Sequence, residues 1–137
     1  LDNYEISNWA RPGHESAHNR LYWGQHDYRG FGCAAHSHAA GRRWWNVRTP
    51  ERYIDLVRRG ESTEAAGEML DDAVRRREGR QLALRMREGV ESEAFDRHDL
   101  ELLDGLVEPH PDLGERVVLA RRGRLLANEI STRLRAD

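Results

Sequence analysis

Apolar positions are irregular over the first 25 residues, where Trp9, Pro12, Gly13, Trp23 and Gly24 stand among polar neighbours. That pattern predicts loop, with at most a short helical stretch. Residues 27–38, punctuated by Gly30 and Gly32, are read as holding a strand, and residues 42–48 as a second one. Thr49-Pro50-Glu51 is a helix start, with Thr as the cap, Pro at the first helical position and an acid in the first turn. Tyr53, Ile54, Leu56 and Val57 form its apolar side, and Arg58-Arg59-Gly60 ends it. Residues 60–67 are small and polar and are expected to be a linker.

The back half carries longer periodic runs. Val74, Leu82 and Met86 fit a helix over about 70–87, closed by Gly89. A short helix is expected from Ser92 to Arg97, around Phe95. A third, capped by Asp99, carries Leu100, Leu102, Leu103, Leu106 and Val107. Pro109 and Pro111 bracket a turn before a strand at Arg116–Leu119. A last helix, about 122–135, spaces Leu126, Ile130 and Leu134 by four. Three helices, a β element and a closing helix predict a winged-helix-like domain over 65–137. Residues 1–64 form an irregular, strand-containing segment, so the fold class expected is α+β.

Composition narrows the function classes. All 22 basic residues are Arg and none is Lys. Residues 1–60 hold nine Arg against six acids, and residues 61–137 hold thirteen against eighteen. The chain is therefore not a uniformly basic nucleic-acid binder. One cysteine, Cys33, excludes an internal disulfide and a self-contained iron–sulfur cluster, which needs three or four thiolates. No apolar run approaches the roughly 18 residues of a membrane span, and no signal peptide opens the chain. A cytoplasmic protein is expected. The start at Leu1, without Met, is read as that of a fragment.

Several stretches together resemble one family. Tyr4-Glu5-Ile6-Ser7-Asn8-Trp9-Ala10-Arg11-Pro12-Gly13 is similar to the segment after the barrel in oxygen-independent coproporphyrinogen III oxidase-like radical SAM proteins. His18-Asn19-Arg20-Leu21-Tyr22-Trp23 resembles that family's HNxxYW motif. Asp27-Tyr28 with Gly30-Phe31-Gly32-Cys33-Ala34-Ala35-His36-Ser37 resembles its DYxGxGxGAHS stretch, with Ala34 where Gly is usual. Leu84–Val90 and Arg122–Glu129 are similar to its small C-terminal domain.

The resemblance implies the C-terminal portion of a protein of the HemW-type heme-chaperone branch. It implies heme binding by His18, Asn19, Tyr22 and Trp23, with His18 as the heme-iron ligand. In the parent it implies an N-terminal radical SAM barrel, which residues 1–64 extend, with a [4Fe–4S] cluster and S-adenosylmethionine bound through a CxxxCxxC motif. That motif is absent from this sequence, so the chain is not expected to be catalytic alone. The partners implied are the barrel, heme or porphyrin, and a heme-accepting protein. A homo-oligomer is also expected, because aromatics that the barrel would cover are left exposed.

Each candidate has a plainer reading beside it. A neutral imidazole ligates heme iron, Tyr22 and Trp23 could wall a porphyrin, and Arg20 or Arg11 could pair with a propionate. Equally, His18 and Asn19 could hydrogen-bond a loop while the aromatics pack against the barrel. His14 and His18 are four apart and His36 and His38 two apart, but no acid or Cys completes a metal set. Cys33 with His36 could form a nucleophile pair or a secondary porphyrin-side contact. Residues three apart on a strand point to opposite faces, which favours a structural Cys. In the third helix of the back half Asp99, Glu101, Asp104 and Glu108 would repel DNA phosphates, so no nucleic acid is expected. Two alternatives stay open: the accessory region of an oxygen-independent coproporphyrinogen III oxidase, and a protein-interaction domain without tetrapyrrole binding.

Overall fold

The first element is a hairpin that no alternation of apolar residues announces. In a computed structural model, which describes residues 1–135, β1 (Asp2–Glu5) pairs antiparallel with β2 (Asn8–Ala10). The turn is closed by side chains. The Ser7 N–H, the Ser7 hydroxyl and the Asn8 amide all donate to Glu5 Oε2, at 3.1, 3.1 and 2.7 Å. Asn3 Nδ2 donates to the carbonyls of Glu5 and Asn8. The loop expected over residues 1–25 is corrected at this hairpin. The short helical stretch is α1 (Ala17–Trp23), capped by Ser16, whose hydroxyl accepts the Asn19 N–H at 3.3 Å.

The next four elements form one small layer. β3 (His36–Ala39), β4 (Arg42–Asn46) and β5 (Glu64–Met69) make an antiparallel sheet in the order β3-β4-β5. Between β4 and β5 runs α2 (Pro50–Arg59), with Thr49 before it and Gly60 in the left-handed region after it. The strand expected within 27–38 shrinks to β3. Gly32 and Ala34 have φ of +100° and +58°, which bends the chain away, and Tyr28 meets His38 only as an isolated pair. Residues 60–67 are not a linker throughout. Glu64–Met69 lack β-branched residues, yet β4 pairs with them, and Arg43 faces Glu68 directly across the ladder at 2.7 Å.

The remaining elements are α3 (Asp72–Ala83), β6 (Val90–Glu91), α4 (Arg97–Leu102), β7 (Val107–Pro109), β8 (Arg116–Leu119) and α5 (Ala127–Ser131). Single 3-10 turns at Ser92–Ala94 and Gly123–Leu126 replace the short helix and the start of the last helix expected there. The third sheet has the order β6-β8-β7, all antiparallel. The helix expected to reach 87 ends at Ala83, because Met86 pairs with Glu5 of β1. Asp96, not Asp99, precedes α4, so Arg97 lies inside the helix and pairs with Glu101.

The chain is thus α+β, in two compact units. One joins Leu1–Gln25 to the described residues from Ala73 onward; the other is His26–Asp72. The expected division at 64/65 falls at the start of β5, inside the second unit. The first unit holds the larger core: Leu84, Val90, Phe95, Leu103, Val117, Leu119, Ile130 and Leu134, with Ile6 packed on it. The second is thin, with Val47 and Leu56 as its buried apolar residues and β5 exposed along its whole length. Among the described residues no helix is long and apolar enough to cross a membrane.

Candidate functional site

The spacing of HNxxYW acquires a meaning on α1. Residues four apart share a helix face. His18 and Tyr22 form one row and Asn19 and Trp23 the adjacent row. The first row is exposed, with Tyr22 at 43%, and the second is half-buried. Tyr22 and Trp23 meet edge to face, ring centroids 5.0 Å apart at 76°. The His18 imidazole and the Asn19 side-chain amide have no hydrogen-bonding partner among the described residues, so neither serves as a loop staple.

What holds the inner row comes from outside the helix. The Arg85 guanidinium lies over the Trp23 ring, 4.9 Å from its centroid. Arg85 is in turn gripped by Glu5, whose Oε1 accepts from Nε at 3.1 Å and pairs with Nη2 at 2.9 Å. Burial by itself would raise the Glu5 pKa. The Ser7 N–H, the Asn8 amide, the Ser7 hydroxyl and the Arg85 charge outweigh burial and hold the carboxyl below its ordinary value. Backbone bonds pin the same place from both sides: Ile6 N–H donates to the Arg85 carbonyl and Arg87 N–H to that of Tyr4. Glu5 and Arg85 were not singled out from sequence. The signal available was membership of the family-like stretches, Tyr4–Gly13 for Glu5 and Leu84–Val90 for Arg85.

His14 sits in the turn before Ser16, off the helix, so the four-residue spacing to His18 does not form one helical face. Groups of three or more metal-ligating side chains are absent among the described residues. Arg20 at the end of α1 pairs with Glu88 at 3.6 Å.

Cys33 and His36 lie in the second unit. Cys33 is a half-buried free thiol in a turn, not on a strand. His36 opens β3, exposed, with its ring 5.6 Å from that of its cross-strand neighbour Trp45. The glycines around Cys33 serve the backbone. A Cβ on Gly30 would stand 2.1 Å from the His36 carbonyl oxygen, and Gly32 donates its N–H to the Tyr53 hydroxyl. Ser37 and Asn46, both buried, close the loop: the Gly30 N–H donates to the Ser37 hydroxyl, and Asn46 Nδ2 donates to the Gly32 carbonyl. His38 is buried as well, its Nδ1 without a hydrogen-bond partner among the described residues and 3.7 Å from Asp27 Oδ1.

No protein-family profile matches the chain. Its fold is like that of coproporphyrinogen III oxidase (HemN) from Escherichia coli, described as a radical SAM enzyme. That match has a TM-score of 0.62 at 22% identity, covering 94% of this chain and 36% of the oxidase. In sequence the chain is 36% identical over 132 residues to heme chaperone HemW of Mycobacterium tuberculosis, covering 93% of this chain and 33% of that protein. It is 36% identical over 141 residues to heme chaperone HemW of Bacillus subtilis, covering 95% of this chain and 37% of that protein. The chain spans about a third of the length of these curated relatives. The similarity to these HemW heme chaperones runs over nearly every residue of this chain.

Proposed function

We propose that the chain is the C-terminal portion of a HemW-type heme chaperone and contributes the heme-holding surface through His18, Asn19, Tyr22 and Trp23. The observation that carries this is the exposed row of α1. A histidine with no partner among the described residues stands one helical turn from an exposed tyrosine that abuts a tryptophan. Such an imidazole is free to ligate iron, and the aromatic pair supplies flat apolar surface beside it. Heme here is the cargo. Cys33 and His36 are the next candidates should the iron ligand lie elsewhere.

The single cysteine cannot hold a [4Fe–4S] cluster, so neither cluster nor S-adenosylmethionine is assigned to these residues. Both belong to an N-terminal barrel of the parent, which residues 1–64 extend. By this reading the chain is not catalytic alone and works in the cytoplasm, alongside heme, the barrel and a heme-accepting protein. Within residues 65–137, the order α3, β6, 3-10 turn, α4, β7, β8 and the sheet order β6-β8-β7 support a winged-helix-like domain. The likeness to the oxidase is one of fold and carries no activity to this chain.

A titration with hemin, followed by absorbance, tests the proposal. The expected result is a shifted Soret band that saturates near one heme per chain. A featureless, non-saturating rise would remove the heme-holding reading and leave an interaction domain.

A further inference from the structure

We propose that Arg85, gripped by Glu5, is the positioning residue that sets the Trp23 ring for a flat, iron-bearing tetrapyrrole. This rests on reading α1 as the heme-holding surface. Trp23 closes a seven-residue helix that buries no residue of its own, so the helix does not fix the ring. The Trp23 indole N–H is buried without a partner among the described residues, so the ring is not anchored by its own hydrogen bond either. What touches its face is the Arg85 guanidinium.

Arg85 is itself fixed at three points. Glu5 takes two of its side-chain nitrogens, and the Arg85 carbonyl accepts the Ile6 N–H. Glu5 has no freedom to let go. Its Oε2 is filled by Ser7 and Asn8, its Oε1 by Arg85, and the residue is 1% exposed. A planar cation held in a fixed plane presents one orientation to an aromatic ring, as a lysine ammonium would not. Two of the stretches resembling the family, Tyr4–Gly13 and His18–Trp23, are thereby coupled through Arg85, which lies in a third.

The test combines a ligand-free and a ligand-bound readout. Near-ultraviolet circular dichroism of wild type minus Trp23→Phe isolates the Trp23 band. Arg85→Gln is expected to lose most of that band and to weaken hemin binding about tenfold. The Soret maximum of the complex should stay in place, because the iron ligand is unchanged. Arg85→Lys, which keeps the charge but not the planar fork, should fall between the two on both readouts. Glu5→Gln should move both in the same direction as Arg85→Gln. An Arg85→Gln chain with an unaltered Trp23 band, or with wild-type hemin affinity, would overturn the inference. If wild type does not bind hemin, the heme reading fails, and the band alone decides the positioning role: its loss supports the role and its retention overturns it.

Discussion

Glu5 and Arg85 meet at 2.9 Å, the carboxylate side chain wholly buried and the guanidinium mostly so. Removing one partner of such a pair costs more than the pair contributes, because the other charge is left without its counter-ion. Glu5 also accepts from Ser7 and Asn8, so its loss opens the hairpin turn as well. Glu5→Ala is expected to destabilise the chain by about 3 kcal/mol, read from urea unfolding. A loss within the range of an ordinary surface substitution would contradict the geometry.

The same carboxyl gives a pH dependence. Its pKa is lowered in the folded chain from an ordinary 4.5. A depressed carboxyl stabilises the fold above its unfolded pKa, and that stability is lost as pH falls through the folded value. Melting temperature should therefore be flat from neutral pH to about 4.5 as far as this group is concerned, and then decline. Glu5→Gln should lower the melting temperature at neutral pH and flatten the acid decline. An equally steep decline in the variant would assign the acid sensitivity to other carboxylates, such as Glu91.

Ala34 lies in the left-handed backbone region, at φ +58°. A Cβ in the left-handed region is strained, although the Ala34 N–H still bonds the Val47 carbonyl at 2.9 Å. Ala34→Gly should stabilise the chain by about 1 kcal/mol, seen as a higher melting temperature. Gly30→Ala should act oppositely, since its Cβ would collide with the His36 carbonyl. If both substitutions were neutral, the described loop would be wrong.

The His18 side chain is exposed and makes no hydrogen bond or ion pair among the described residues. His18→Ala should change unfolding free energy by no more than about 0.5 kcal/mol. Ile130→Ala, in the buried core, should cost about 2–5 kcal/mol. This contrast lets a binding defect in His18→Ala be read as a binding defect. A large loss of stability there would give His18 a structural role.

Local signals made part of the fold legible. Thr49-Pro50-Glu51 and Arg58-Arg59-Gly60 bound α2 where expected, and the apolar run of β8 lies at Arg116–Leu119. The β1–β2 hairpin was not legible, because a buried carboxylate closes it in place of alternation. β6 and β7 are too short to show a period, and α3 stops early for a tertiary reason, the Glu5–Met86 pairing. At the candidate site, the HNxxYW residues were visible as a motif and fall on one short helix. The role of Arg85 was not visible, since it exists only once β1 lies beside that residue.

The most direct measurement is a hemin titration of three chains: wild type, His18→Ala, and the double variant Cys33→Ala/His36→Ala. Heme ligation by His18 predicts a saturable Soret shift in wild type and in the double variant, and its loss in His18→Ala. Saturable binding retained in His18→Ala and lost in the double variant would contradict it, moving the heme ligand from α1 to the turn and strand around Cys33 and His36.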